Sequence, residues 1–188
     1  MADGVCLFAV MLTGARVLKP LLLALLLASV PVAAHAGSAS AAAVKTAFLF
    51  NFFKFIDWPK SATQQSSYKL CTTDNDQLGE SLLVLENKTV NGRAMLIRRQ
   101  ASNTELKTCH IVFIADGENT AKTIRDLQGL PIVTVSDEPN FIDQGGMIGL
   151  IEGNNHLGFE INLSATKAVK LHLSAKILEL AKRVYVKQ

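Results

Sequence analysis

The chain has 188 residues, with 19 Lys and Arg against 16 Asp and Glu, a formal charge of +3, and an apolar content of 49 %. Both signs of charge are interspersed, an ordinary solvated surface that argues against a nucleic-acid partner. The three cysteines have no close C-x-x-C spacing, and none of the four histidines makes the close His pair that zinc sites use.

Basic residues Arg16 and Lys19, a Leu-rich core from Leu21 to Val32 and the Ala34-His35-Ala36 triplet read as a secretory leader cleaved after Ala36. The start codon is either Met1 or Met11. The alternative, an uncleaved anchor, is disfavoured because the core is short of the roughly 20 apolar residues that span a bilayer and Pro31 follows closely. No cysteine sits at the cleavage site, which argues against a lipoprotein. Cleavage removes Cys6 and leaves Cys71 and Cys109 in an oxidising compartment, where two thiols favour one disulfide. Metal ligation beside His110 and two free buried thiols are the alternatives. Closing such a loop stabilises a fold by roughly 4 kcal/mol in the chain-entropy account.

Residues 37–43 are small and read as a flexible tether, so the domain spans 44–188. Val44, Phe48, Leu49, Phe52, Phe55 and Ile56 recur at helical spacing, and Trp58-Pro59 ends that helix near Asp57. A strand is expected from Tyr68 to Thr73. Asp74 or Asn75 then caps a helix over 76–85. Asn91-Gly92 turns into a strand from Arg93 to Arg99. His110–Ala115 is apolar almost throughout, as in a strand covered on both faces. A short helix over Asn119–Leu127 closes at Gly129, and Pro131–Val135 is another strand. Ser136-Asp137 caps a turn through Phe141. After Gly145-Gly146, Met147–Ile151 and His156–Leu163 form a hairpin around Gly153-Asn154-Asn155. Ala168, Leu171, Ala175, Leu178 and Ala181 predict one long closing helix. The expected fold is a three-layer α/β sandwich, a mostly parallel central sheet with an antiparallel C-terminal hairpin, flanked by helices.

Chemical motifs are sparse. Gly145, Gly146, Gly149 and Gly153 flank a hairpin rather than open a helix after a first strand, so they serve turns and not a phosphate. No Gly-x-Ser-x-Gly elbow is present. His110, Ser136 and Asp137 converging at strand ends is the one hydrolytic arrangement available. No residue is assigned as catalytic, metal-ligating or cofactor-binding, and no cofactor is expected. The first helix carries phenylalanines on more than one face, so it is either sandwiched or part of a protein–protein surface. Phe50, Phe53 and Trp58 are the interface candidates there. On the last strand, Phe159, Glu160 and Asn162 are the others: Glu160 either points to solvent or pairs with a basic partner.

Five ordered blocks carry a resemblance: Val44–Phe52 with Trp58-Pro59, Cys109–Ile114, Thr134–Asp137 with Phe141, Gly145–Ile148, and Phe159–Leu163 before the closing segment. Over about residues 44–185 the chain resembles the YfiR-like family of small periplasmic proteins. The resemblance implies a non-enzymatic repressor in the periplasm of a Gram-negative bacterium. Its partner would be the periplasmic sensor region of an inner-membrane diguanylate cyclase, and repression would lower cyclic-di-GMP and restrain biofilm formation. It also implies an outer-membrane lipoprotein with a peptidoglycan-binding domain as a second partner, a homodimer, and a disulfide matching Cys71 and Cys109. A second disulfide of some members, around the glycine hairpin, has no cysteines here. A periplasmic small-molecule sensor and a hydrolase using His110 and Asp137 are the competing functional readings.

Overall fold

A computed structural model describes residues 40–187 apart from 63, 64, 76, 154 and 155. The leader assigned to 1–36, the first part of the tether and the Asn154-Asn155 turn lie outside the described residues. Helix α1 (Ala41–Phe55) starts earlier than its apolar periodicity does. Ser40 caps it, its hydroxyl accepting from the Ala43 amide at 3.2 Å, so Ala41–Ala43 are helical rather than tether. Extended backbone at Ile56 ends it. Strand β1 (Ile56–Asp57) pairs antiparallel with β9 (His172–Leu173).

The main sheet has eight strands in the order β10-β8-β7-β6-β5-β2-β4-β3. Strands β2 (Ser67–Thr72), β4 (Arg93–Arg98), β5 (Ile111–Ile114), β6 (Val133–Ser136) and the start of β7 (Ile148–Gly153) run parallel. Short β3 (Thr89–Val90) is antiparallel to β4, and β8 (His156–Asn162) is antiparallel to β7. Helices α2 (Asn103–Leu106) and α3 (Thr120–Asp126) lie in the crossovers from β4 to β5 and from β5 to β6. A capping box of Ser102 with Glu105 starts α2, and the Asn119 side chain caps α3.

Period-two alternation divides the side chains of the sheet between two cores. Tyr68, Leu70, Ile111, Phe113, Val133, Val135, Phe159 and Ile161 face α1 and a 3-10 helix at Gly79–Leu85. Cys71, Val112, Ile114 and Ile132 face Leu106, Leu127, Phe141 and Ile142. This is the three-layer arrangement expected. A Cβ on Gly146 would lie 2.2 Å from the Phe141 ring, so the second glycine of the pair is set by close approach.

Two expected helices are corrected. The segment after Asp74 is the tighter 3-10 turn, which has no side-chain cap; Asn75 spends its side chain on the Asp116 carbonyl instead. The single closing helix is four pieces: α4 (Leu163–Ala168), β9, α5 (Ala175–Leu180) and β10 (Arg183–Tyr185). Lys170 takes φ 60°. The Lys170 and Leu171 amides return to the carbonyls of Lys167 and Thr166, closing α4 in a Schellman motif. Leu173 then pairs with Ile56, and the Ser174 amide donates to the Phe55 carbonyl. A tertiary ladder thus overrides helical spacing. No helix among the described residues is long and apolar enough to cross a membrane.

Cys71 on β2 and Cys109 just before β5 are joined as a disulfide, with Cα atoms 6.1 Å apart and a sequence separation of 38. Substituting Cys71→Ser lowers unfolding stability by up to about 4 kcal/mol, read as a lower urea midpoint in non-reducing buffer. Reductant shifts the wild type towards the variant.

Candidate functional site

Chain order places a topological switch point between β2 and β5: the chain passes from β2 to β4 on one side, then returns to β5 on the other. Open α/β sheets place ligands in the crevice outside such carboxyl ends. Here a crevice of about 490 Å³ lies over the loops that follow β5 and β6, lined by Lys45, Gln77, Asp116, Asp137, Pro139 and Glu152 among others. Its charged groups hold one another. Lys45 on α1 reaches Asp137 at 2.7 Å and Glu152 at 3.3 Å. Burial pulls the Lys45 ammonium down, while hydrogen bonds and charge from Asp137 and Glu152 outweigh it, so its pKa is raised. The other Asp137 oxygen accepts the Asp116 amide at 3.2 Å. Asp137 therefore staples α1 to the loops after β5 and β6. Sequence spacing could not reveal this, since Lys45 and Asp137 are 92 positions apart.

His110 and Asp137 do not meet. His110 precedes β5 and Asp137 follows β6, and the strands run parallel with Ile111 opposite Val133 and Ile114 opposite Ser136. The two residues leave opposite ends of the strands, five residue steps and roughly 17 Å apart along the strands at about 3.3 Å per residue. The Ser136 hydroxyl accepts the Glu138 amide at 3.0 Å, the capping role. The proposed hydrolytic constellation is thereby overturned. Among the described residues no three His, Cys, Asp or Glu side chains converge to hold a metal.

His110 is a core residue. Its Nδ1 accepts the Lys69 amide at 3.1 Å, so Nε2 carries the proton and donates to the Ala62 carbonyl at 3.2 Å. Trp58 and Tyr68 meet its ring edge-on at 5.7 and 5.1 Å. Burial, against the opposing pull of the Ala62 carbonyl and aided by the Arg93 and Lys69 charges, lowers its pKa from 6.5 to about 4.

The aromatic helix is sandwiched. Phe53 stacks on Trp58 at 5.5 Å and tilts against Tyr68 at 5.2 Å. Phe159 lies edge-on to Phe52 at 5.4 Å and to Phe48 at 5.7 Å. Phe53, Trp58 and Phe159 are buried and present no face to a partner as the protomer stands. Phe50 is half-buried beside Val84, with the Lys54 ammonium 4.3 Å above its ring.

Glu160 takes the paired placement. It is buried, and Arg183 Nε donates to it at 2.8 Å. The same guanidinium clasps Asp143 through both terminal nitrogens, at 3.2 and 2.9 Å. The hydrogen bonds that Arg183 donates, to Glu160 first and then to Asp143, raise its pKa. The Asn162 side chain donates to the Ile142 carbonyl and caps α4 by accepting the Ala165 amide. Both residues, read as surface candidates, hold the hairpin to its neighbours. Their partners lie in β10 and in the 141–146 loop, which the sequence reading left unconnected to them.

Two measurements check these placements. Folded His110 stays neutral down to about pH 4, whereas the unfolded chain protonates it near 6.5. Between those values the unfolded state binds the extra proton, so its stabilisation is complete above the window and is lost as pH falls through it. Stability read from urea midpoints should fall by roughly 2 kcal/mol between about pH 7.5 and about pH 5, and a His110→Gln variant should respond less. For the second, Glu160→Gln loosens β10: amide exchange at residues 183–186 accelerates while the Leu70 and Ile111 amides stay protected.

A family model described as YfiR/HmsC-like matches residues 42–182. The family is regulatory and non-enzymatic, known for periplasmic regulation of diguanylate cyclases. The match runs from the first turn of α1 through the disulfide, the crevice and the hairpin to the edge of β10, and the chain belongs to the YfiR/HmsC-like family.

Proposed function

We propose that this protein is a periplasmic negative regulator that works by reversible contact. In this reading it is exported, its leader is removed, and Cys71 and Cys109 are oxidised. It then binds the periplasmic sensor region of an inner-membrane diguanylate cyclase and holds it inactive, lowering cyclic-di-GMP and biofilm formation. The observation that carries the reading is the extent of the family match, which takes in nearly all of the compact body. Geometry supports it. The polar groups of the strand-end crevice are engaged with one another, and His110 is held neutral in the core.

Repression of this kind is a population shift. The protein must bind the inactive cyclase more tightly than the active one, by about 10⁴-fold to reverse a 99:1 preference. An outer-membrane lipoprotein with a peptidoglycan-binding domain would relieve repression by competing for the repressor, and the working form would be a homodimer. A second reading, a small-molecule sensor, is favoured by the crevice of about 490 Å³ at the strand ends.

Deleting the gene should raise cellular cyclic-di-GMP, and complementation should restore it. An unchanged level in the deletion strain refutes the repressor. A thermal shift with periplasmic metabolites that is abolished by Asp137→Asn favours the sensor.

A further inference from the structure

The last segment of the chain has its own charge and its own surface. Residues 163–187 hold five lysines and Arg183 against one acidic side chain, Glu179, while the whole chain carries a formal charge of only +3. All six cations are exposed. Glu160 and Asp143, the acids that face this edge from β8 and the loop before β7, are both engaged by Arg183. The five exposed lysines are therefore in excess over acid at the β10 edge, while Asp74, Asp116, Glu118, Asp137 and Glu138 occupy the loops after β2, β5 and β6.

The same segment exposes apolar side chains. Leu180 at the end of α5 is 58 % exposed and Val186 beyond β10 is 53 % exposed, and Val184 and Tyr185 on β10 are also exposed. By register Val184 sits beside Ile161, Arg183 beside Glu160 and Tyr185 beside Asn162, so Val184 points to one face of the edge while Arg183 and Tyr185 point to the other. Lysines on an edge strand commonly guard it against unwanted pairing. A guard of that kind does not require Leu180, Val184, Tyr185 and Val186 to stand exposed among the lysines.

Chemistry narrows the occupant. A second copy paired antiparallel through β10 would bring Lys182 of one copy close to Lys187 of the other at each end of the pair, a like-charge contact. Protein interfaces are depleted in lysine and favour arginine, yet the one arginine here is already held by Glu160 and Asp143. Lysines on long apolar stems, interspersed along the segment with exposed Leu180, Val184 and Val186, match an anionic bilayer surface: the ammonium groups reach phosphates while the apolar tips enter the headgroup boundary.

We propose that residues 176–187 form a docking face for anionic phospholipid, seating the protein on a membrane surface with its acidic strand-end loops free. All of β10 lies past residue 182, where the family match stops, and the proposal does not depend on which protein is regulated.

The test is co-sedimentation of the protein lacking residues 1–36 with vesicles of phosphatidylcholine, alone or with one-third phosphatidylglycerol. Binding is expected only to the anionic vesicles and should weaken as salt rises. Lys176→Glu/Lys187→Glu should weaken it at least about tenfold, since each lysine near an anionic surface contributes about fivefold. Leu180→Ser/Val186→Ser should weaken it as well. Both lysine side chains are exposed, so the charge-reversed variant carries the test if the apolar variant fails to fold. Absence of binding, equal binding to neutral vesicles, or undiminished binding by the charge-reversed variant overturns the proposal. So does light scattering that shows a dimer which the same substitutions dissociate, with no vesicle bound.

Discussion

Burial of α1 against the sheet is the contact on which the remaining architecture depends. Leu49, Phe52 and Phe53 are almost completely removed from water, and each such side chain contributes roughly 1.5–3 kcal/mol on burial. Phe52 lands on β8, near one edge of the sheet, while Phe53 lands on Tyr68 of β2 towards the other. One helix therefore ties the C-terminal hairpin to the central parallel strands. The β1–β9 pairing fixes its end and Lys45 fixes its first half, through Asp137. Removing this helix would uncover most of one core and unfasten the strand-end crevice as well.

Long-range polar contacts perform a second joining task. Asp137 connects three elements, and Arg183 connects β10 to β8 and to the loop before β7. Exposed ion pairs contribute little to stability. The acceptor carboxylates at Asp137 and Glu160 are mostly buried, however, so loss of either cationic partner would leave a desolvated charge. These pairs specify where the loops and the last strand lie.

Legibility followed the range of the forces involved. The α1 periodicity, the fully apolar β5 and the hairpin were readable because a residue and its neighbours set them. The paired cysteines were readable because Cys6 falls in the stretch that reads as a leader, which leaves two for the domain. The closing helix was misread for the opposite reason. Leu171, Ala175 and Leu178 do keep helical spacing, but Leu173 is claimed by Ile56 from the other end of the domain, and Lys170 adopts the turn that permits it. Glu160 was readable as either solvent-facing or paired with a base, but Arg183 as that base, and the Ile142 carbonyl as the partner of Asn162, are invisible in local text. His110 and Asp137 looked able to converge because sequence alone gives no strand ends. The resemblance supplied the family, which no side-chain motif here encodes.

The pairing of the first helix with the last strands has a consequence for the order of events during synthesis. Phe48 and Phe52 emerge early, but Phe159, which covers them, and Leu173, which anchors the turn after them, are made near the end. Arg183 follows later still, and until it arrives Glu160 has no counter-ion at the growing rim. A nascent chain of this design carries a bare aromatic helix until almost all of it has been delivered, so it needs shelter from other unfinished chains. Truncations that remove only the last few turns of sequence would be felt at its very beginning.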